Sequence, residues 1–395
     1  MENKDEFKGK ESTFWLENCP VTNFPRLKEG LKVDVAVLGG GIVGVTTATL
    51  LKESGFKVAL IEADRIVKDV TVGTTAKISA APNMIYDNLI SNLGRKKAQK
   101  FADASMGSVE KISEIVKKRN INCDFHRLPL YIYSESYENR EKIESEFKAA
   151  KELGLPVSYT ENVPLPFKTG PAIKYDNQAQ FHPRKYLLAL SEDLNREGSY
   201  VFEQTRVITV EDGHEKEIIT DQGSIMADKV VIATHIPVYD PDSLKKHLYP
   251  ARSYVIALYS TDDFPDGMFI DMDPVHTYRT TPTEKGKLII VAGEHSTIDV
   301  DDKNVYYRRL KDYARQHLNV KSIEYQWTSK DASTDDGLPF IGKTSINNIY
   351  VATGLGFWGM TNGTTAAMVN ADLISGKENE FADLFNPLRI NLTKS

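Results

Sequence analysis

The pattern of apolar and polar positions changes period several times along the chain, and the first change is the most telling. Val33 to Leu38 is an unbroken apolar run, as expected of a strand buried on both faces of a parallel sheet. The next apolar positions take helical spacing up to Ser54, and Gly55 follows where the residue after a helix belongs. A second strand, Lys57 to Ile61, ends at Glu62. This opening predicts a strand–helix–strand unit.

Further along, Asp87 to Arg119 reads as a long helix, with Ile90, Leu93, Phe101, Val109, Ile112 and Ile115 on one side. Cys123 to Tyr133 is strand-like, and the charged helix expected over Ser136–Leu153 carries Glu/Lys pairs typical of a solvated face. A helix over Lys185–Glu197 leads to strands at Val201–Thr205, Val207–Glu211, Glu217–Thr220 and Lys229–Thr234. The last is again continuously apolar and should return to the parallel sheet. Between Pro250 and Glu294 the strands lengthen, become aromatic and alternate, which predicts an antiparallel sheet in a second domain. A helix over Asn304–Leu318, strands around Ile323–Thr328 and Ile349–Thr353, and a helix from Thr361 to Ile374 complete the pattern. The class is α/β, α+β overall.

Between the first strand and its helix lies Gly39-x-Gly41-x-x-Gly44, with Glu62 18 residues beyond. Gly39 permits the tight turn, Gly41 lets backbone approach a pyrophosphate, and Gly44 lets helix and strand pack closely. The helix N-terminus offers free N–H donors to phosphate. Glu62 suits a ribose hydroxyl and disfavours NADP, while FAD and NAD stay open at this point. Gly354-x-Gly356-x-x-Gly359 repeats the spacing, but no second strand ending in an acid follows its helix. It reads as a glycine turn whose helix points at a ligand held elsewhere, such as the charged side of a reduced flavin.

At 395 residues two domains are the natural prior, and a net charge of -6 gives no nucleic-acid footprint. No run approaches a membrane span, and the charged N-terminus, MENKDEFKGKESTFW, is not a signal peptide, so cytoplasm is the expected compartment. Cys19 and Cys123 are the two cysteines, too few for a disulfide framework, a four-cysteine zinc site or a cysteine-held iron–sulfur cluster. No metal is expected.

The stretch VDVAVLGGGIVGVTTATLLKESGFKVALIEAD, the later Asp336-Gly337-Leu338-Pro339-Phe340-Ile341-Gly342 and the closing YVATGLGFWGMTNGTTAA together resemble the glycine oxidase / D-amino-acid oxidase family of FAD-dependent oxidoreductases. The lead-in STFWLENCPVTNFPRLKEG and the segment GTTAKISAAPNMIY look most like a bacterial branch that often carries a C-terminal Rieske domain, absent here. The γ-glutamylputrescine oxidoreductases are similar in these regions. The resemblance implies a Rossmann-like FAD-binding domain interleaved with an antiparallel-sheet substrate domain. Residues 1–30 would be a lead-in, 31–120, 170–240 and 330–395 the FAD part, and 121–169 and 241–329 the substrate part. It further implies that Gly39, Gly41, Gly44 and Glu62 hold the pyrophosphate and adenosine ribose. Thr75, Ala76 and Lys77 would border the flavin, Val207 would meet the adenine side, and Gly354, Gly356, Trp358, Gly359 and Met360 would flank the pyrimidine ring. Several relatives attach FAD covalently through a histidine or cysteine after the ribose acid. Asp64 to Ile90 holds neither, so FAD should be non-covalent.

Oxidising an amine asks the protein mainly to hold the reacting carbon over the flavin. For an amino acid, an Arg with a Tyr would clamp the carboxylate. Arg252 and Tyr254, two apart on one strand, are such a pair. Tyr278 and Arg279 are adjacent, so one of them faces the flavin. His276 and His295 are candidate bases, and Lys77 could place a cation beside the flavin. The substrate is expected to be a small amine or amino acid, the electron acceptor stays undetermined, and a homo-oligomer or a partner subunit is compatible with the chain. A flavoprotein subunit that leaves chemistry to a partner chain is the main alternative, and an NAD-linked dehydrogenase a weaker one.

Overall fold

The computed structural model describes residues 9–298 and 302–392; the first eight residues of the expected lead-in and the last three of the FAD part lie outside them. Two sheets organise the chain. The smaller is built on parallel strands in the spatial order Ile349–Thr353, Gly223–Ile232, Leu31–Leu38, Val58–Ile61, Tyr200–Phe202. Phe340–Lys343 joins one edge antiparallel, and Val207–Glu211 with Lys216–Thr220 forms a meander off Gly223–Ile232. The helix Ile42–Glu53 packs beside the last long helix, Gly359–Ile374 (hereafter the C-terminal helix, though two single-turn helices follow it), with Arg95–Lys118 against the latter. The strands Val35–Leu38 and Val58–Ile61 are fully buried because helices cover one face and the meander region the other, which is why they read as continuous apolar runs.

The larger sheet runs Val320–Thr334, Leu248–Ser260, Gly286–Thr297, Val275–Thr283, Met268–Met272, His126–Tyr133, Ala172–Gln180, Lys77–Ile78, largely antiparallel. The lead-in strand Lys10–Glu11 extends its first edge. One face is covered by the helix Lys303–His317, where Tyr254, Leu258, Tyr278, Leu310 and Ala314 cluster. The other turns toward the parallel sheet and its helices.

The structure departs from the sequence expectations in three places. The long helix is two, Tyr86–Leu93 and Arg95–Lys118, because Gly94 at φ +80° turns the chain between them. Ala172–Gln180 and Lys77–Ile78 pair in the larger sheet, so the expected boundaries at 120 and 170 do not follow the strands. Val320–Thr334 is 15 residues long and continues well past Thr328, where sequence periodicity ends it.

Candidate active site: a glycine-cradled cleft beside a sheet-floored cavity

The first glycine fingerprint is packed so tightly that its spacing is dictated by contact. A Cβ on Gly44 would lie 1.8 Å from the carbonyl oxygen of Gly39, and Gly39 sits at φ +109° with its own would-be Cβ 2.4 Å from the Ala233 oxygen. Gly41 caps the helix Ile42–Glu53 without a side-chain cap, leaving that helix end turned to the cleft. Glu62 ends the second strand, and its carboxylate accepts from the Gly40 amide at 2.8 Å and the Asp64 amide at 2.9 Å.

Gly39, Gly40, Gly41 and Glu62 line a cleft of ≈ 800 Å³, together with Arg206, Val207, Thr234, His235 and Leu355, while Gly44 packs behind it. Ile42, Val70, Thr71, His235 and Leu355 also line a neighbouring cavity of ≈ 330 Å³, so the two adjoin along a shared wall. The cavity's floor is the larger sheet, through Ser253, Val255, Thr277, Ala292, Ser329 and Asp331. Its sides are the segment Thr71–Lys77 and the glycine turn before the C-terminal helix, which brings Gly356, Trp358, Gly359 and Met360 to the wall. Gly354 is set one step back, at φ +70°, where a Cβ would strike the Thr334 methyl at 2.4 Å. The helix Gly359–Ile374 carries no side-chain cap, so this second helix start also opens on the cavity.

The wall segment 73–77 is held from behind. Trp15, fully buried, donates its indole N–H to the Thr74 carbonyl at 2.8 Å, and Trp327 donates to the Gly73 carbonyl at 3.0 Å. Arg279 donates through Nη1 to the carbonyls of Thr75, Ala76 and Phe181 at 3.1, 3.0 and 3.2 Å, and its guanidinium lies over the Trp15 ring. Burial lowers the Arg279 pKa to about 9 against the opposing charge of Asp124. Its guanidinium is therefore a brace for the strip containing Thr75 and Ala76 (φ +59°), and it does not line the cavity.

Lys77 does line the cavity. Its ammonium donates to Thr277 Oγ1 at 2.8 Å and Thr75 Oγ1 at 3.1 Å, and among the described residues no carboxylate pairs with it. Burial, then the Arg279 charge, pushes its pKa well below the usual lysine range. Asp331 is the one acid among the described lining residues. Its Oδ1 accepts from the Ala332 amide at 2.7 Å, and burial raises its pKa to about 7 against the pull of the Ala332 and Phe357 amides.

The other expected site residues stand elsewhere. Arg252 and Tyr254 do share a strand face, but it is the face under the helix Lys303–His317; Ser253 and Val255 are the ones turned to the cavity. Arg252 reaches the Ile298 carbonyl at 3.1 Å, and Tyr254 stacks on Tyr306 at 4.8 Å. A spacing of two fixes a shared face and says nothing about which face it is. His276 lies on that same far side, stacked on Tyr313 at 3.7 Å and 3.3 Å from a Glu294 oxygen; burial lowers its pKa. His295 reaches the cavity mouth beside Phe357. Three contributors escape the sequence reading: Asp331, which lies beyond the Thr328 end expected for its strand, and the indoles of Trp327 and Trp15, whose partners at Gly73 and Thr74 are distant in sequence.

A family profile described as FAD dependent oxidoreductase matches residues 34–373. A Bacillus subtilis (strain 168) protein named as a Rieske 2Fe-2S iron-sulfur protein is 34% identical over 398 residues, covering 99% of this chain and 78% of its own. The gamma-glutamylputrescine oxidoreductase of Escherichia coli (strain K12) is 23% identical over 381 residues, 91% of this chain and 87% of that one. Among solved structures, glycine oxidase from Geobacillus kaustophilus superposes with a TM-score of 0.77 at 18% identity, over 91% of this chain and 99% of its own. L-proline dehydrogenase from P. horikoshii gives 0.77 at 21%, over 92% and 99%.

Proposed function

Because the chain belongs to the family of FAD-dependent oxidoreductases, we propose that it oxidises the C–N bond of a small amine or amino acid to an imine, with the electrons passing to oxygen or a carrier. FAD is its cofactor, and the residues present fit that group. The cleft has a glycine cradle that a Cβ would fill, an acid at the end of the second strand, and a wall shared with the cavity. Gly39, Gly41 and Gly44 would hold the pyrophosphate, Glu62 the adenosine ribose, and Val207 the adenine side. Thr75, Lys77 and the turn Gly356–Met360 would border the ring system. When bound, FAD supplies the two-electron acceptor for the substrate's C–H bond.

The chain's own residues then do three things. The sheet floor, from Thr277 to Asp331, holds the substrate against the cofactor wall and excludes water from the reacting carbon. Lys77, a buried ammonium tied to two hydroxyls, offers positive charge where negative charge builds up as electrons arrive. The uncapped start of the helix Gly359–Ile374 does the same from the opposite wall. The observation that carries the reading is that the glycine-cradled cleft adjoins a cavity whose one lysine has no acid partner among the described residues. The test is anaerobic mixing of the purified flavoprotein with a panel of amines and amino acids, following loss of the ~450 nm flavin band. Bleaching by a member of the panel supports the reading, and no bleaching by any of them, in a protein that chemical reductant bleaches, overturns it.

A further inference from the structure

Lys77 and Asp331, the lysine and the acid among the described cavity-lining residues, do not pair with each other. Thr277, which receives the Lys77 ammonium, pairs with Ala292, Ala292 with Val255, and Val255 with Trp327. That chain crosses three strand spacings, about 14 Å at roughly 4.8 Å each, and Asp331 stands four residues further along the last strand. The groups acting on Asp331 are its own burial and two backbone amides; those acting on Lys77 are burial and Arg279. Asp331 is 7% exposed, faces the cavity beside Ser329, and among the described residues meets no arginine, lysine or histidine side chain. A carboxylate so placed is costly unless a ligand supplies the opposite charge.

Arginine is missing from the described cavity lining, and the Arg252–Tyr254 pair that could have clamped a carboxylate faces the other way. The ammonium and carboxylate of an α-amino acid are about 3 Å apart, two bonds from one another, so one such molecule cannot reach Asp331 and Lys77 together. A carboxylate placed near Asp331 would meet like charge.

Resting on the amine-oxidation reading above, we infer that the substrate is an amine without an α-carboxylate, and that Asp331 takes its ammonium group. Lys77 is thereby left to the cofactor side of the cavity. Asp331 is then the specificity-determining residue, and the amine is recognised by charge at one end and by the apolar floor of Val255, Ile270 and Ala292 along its stem.

The test uses the holoprotein and compounds matched but for one carboxylate. Pentylamine and both enantiomers of norleucine report oxidation through anaerobic flavin bleaching. Tert-butylamine and 2-aminoisobutyrate, which have no α-C–H and cannot be oxidised, report binding by calorimetry. The expected result is bleaching by pentylamine at least a hundredfold faster than by norleucine, with tert-butylamine binding weakened tenfold or more in Asp331→Asn and partly restored in Asp331→Glu. That binding should also weaken as pH falls below neutrality, as the carboxylate takes up its proton. Asp331→Asn keeps an oxygen for the Ala332 amide, and an unaltered flavin spectrum in the variant shows that the fold is kept. The inference is overturned if norleucine bleaches as fast as pentylamine, if 2-aminoisobutyrate binds as tightly as tert-butylamine, or if Asp331→Asn binds tert-butylamine as wild type does. Failure of every compound to bleach the flavin would count against amine oxidation itself, while the calorimetric pair would still decide the role of Asp331.

Discussion

Gly44 and Gly41 share one motif but should fail in different ways when each is changed to alanine. At position 44 the new Cβ would start 1.8 Å from the Gly39 oxygen, with Leu60 Cδ1 at 3.3 Å closing the other side. A normal contact needs roughly 3.3 Å, so the helix Ile42–Glu53 must retreat from the turn by about 1.5 Å. The helix packs on the C-terminal helix and on Pro183–Leu194, so it cannot retreat freely. Forced overpacking of this kind costs about 3 kcal/mol, the upper end of its usual range. The same retreat withdraws the helix start from the cleft and should weaken FAD by a hundredfold or more, the equivalent of about 3 kcal/mol of lost charge-assisted hydrogen bonds. At position 41 the Cβ meets a single side-chain atom, Thr71 Oγ1 at 2.8 Å, which also accepts from the Ile42 amide at 3.1 Å, and the backbone at φ -87° accepts any residue. Gly41→Ala should therefore cost the apoprotein about 1 kcal/mol, the worth of the one Thr71–Ile42 hydrogen bond it disturbs, while its methyl fills the cleft where phosphate must approach. Urea unfolding of the two apoproteins and FAD titration by fluorescence quenching measure both quantities. Equal stability losses in the two variants, or full FAD affinity in Gly41→Ala, would refute the division of labour.

Other consequences follow from the braces and charges around the cavity. Arg279→Met leaves the carbonyls of Thr75, Ala76 and Phe181 without their shared donor. The expected loss is about 2–3 kcal/mol in urea unfolding, since removing a buried cation also relieves its desolvation; an unchanged midpoint would show that these bonds contribute nothing net. Glu62→Ala frees the amides of Gly40 and Asp64 and should weaken FAD at least tenfold in an equilibrium titration, with unaltered affinity contradicting the ribose assignment. Asp331 has its pKa raised to about 7 in the fold from an ordinary value of 3.8, so between those limits the folded protein holds a proton that the unfolded chain has released. Apoprotein stability should fall as pH rises through that window, by about 4 kcal/mol in all, and level off above it. Asp331→Asn should lose that slope when urea midpoints are compared across pH, and an identical slope in the variant would place its origin elsewhere.

What the chain reveals on reading follows the physics of each region. The strand ending at Leu38, the helix after Gly41 and the acid at Glu62 are legible because the parallel sheet is covered on both faces and the glycine contacts admit no Cβ. Local sequence carries that information. The cavity floor is different, because it is built by register between distant strands: Thr277 on Ala292, Val255 on Trp327. Periodicity pairs Arg252 with Tyr254 and Ser253 with Val255 equally well, and the choice of face is made by the helix Lys303–His317, whose docking no local signal encodes. Trp15 and Arg279 show the same limit, since their partners at Thr74, Thr75 and Ala76 lie 59 or more residues away.

The central claim is that the cleft holds FAD at the glycine cradle and the adjoining cavity presents a small amine or amino acid to it, and anaerobic spectroscopy of the purified protein tests it most directly. The account predicts flavin bands that pass into the supernatant on acid precipitation, and bleaching of the ~450 nm band by an amine or amino acid in a single anaerobic mixing. A protein that binds no added FAD, or one whose flavin dithionite reduces while every amine and amino acid leaves it oxidised, would contradict it.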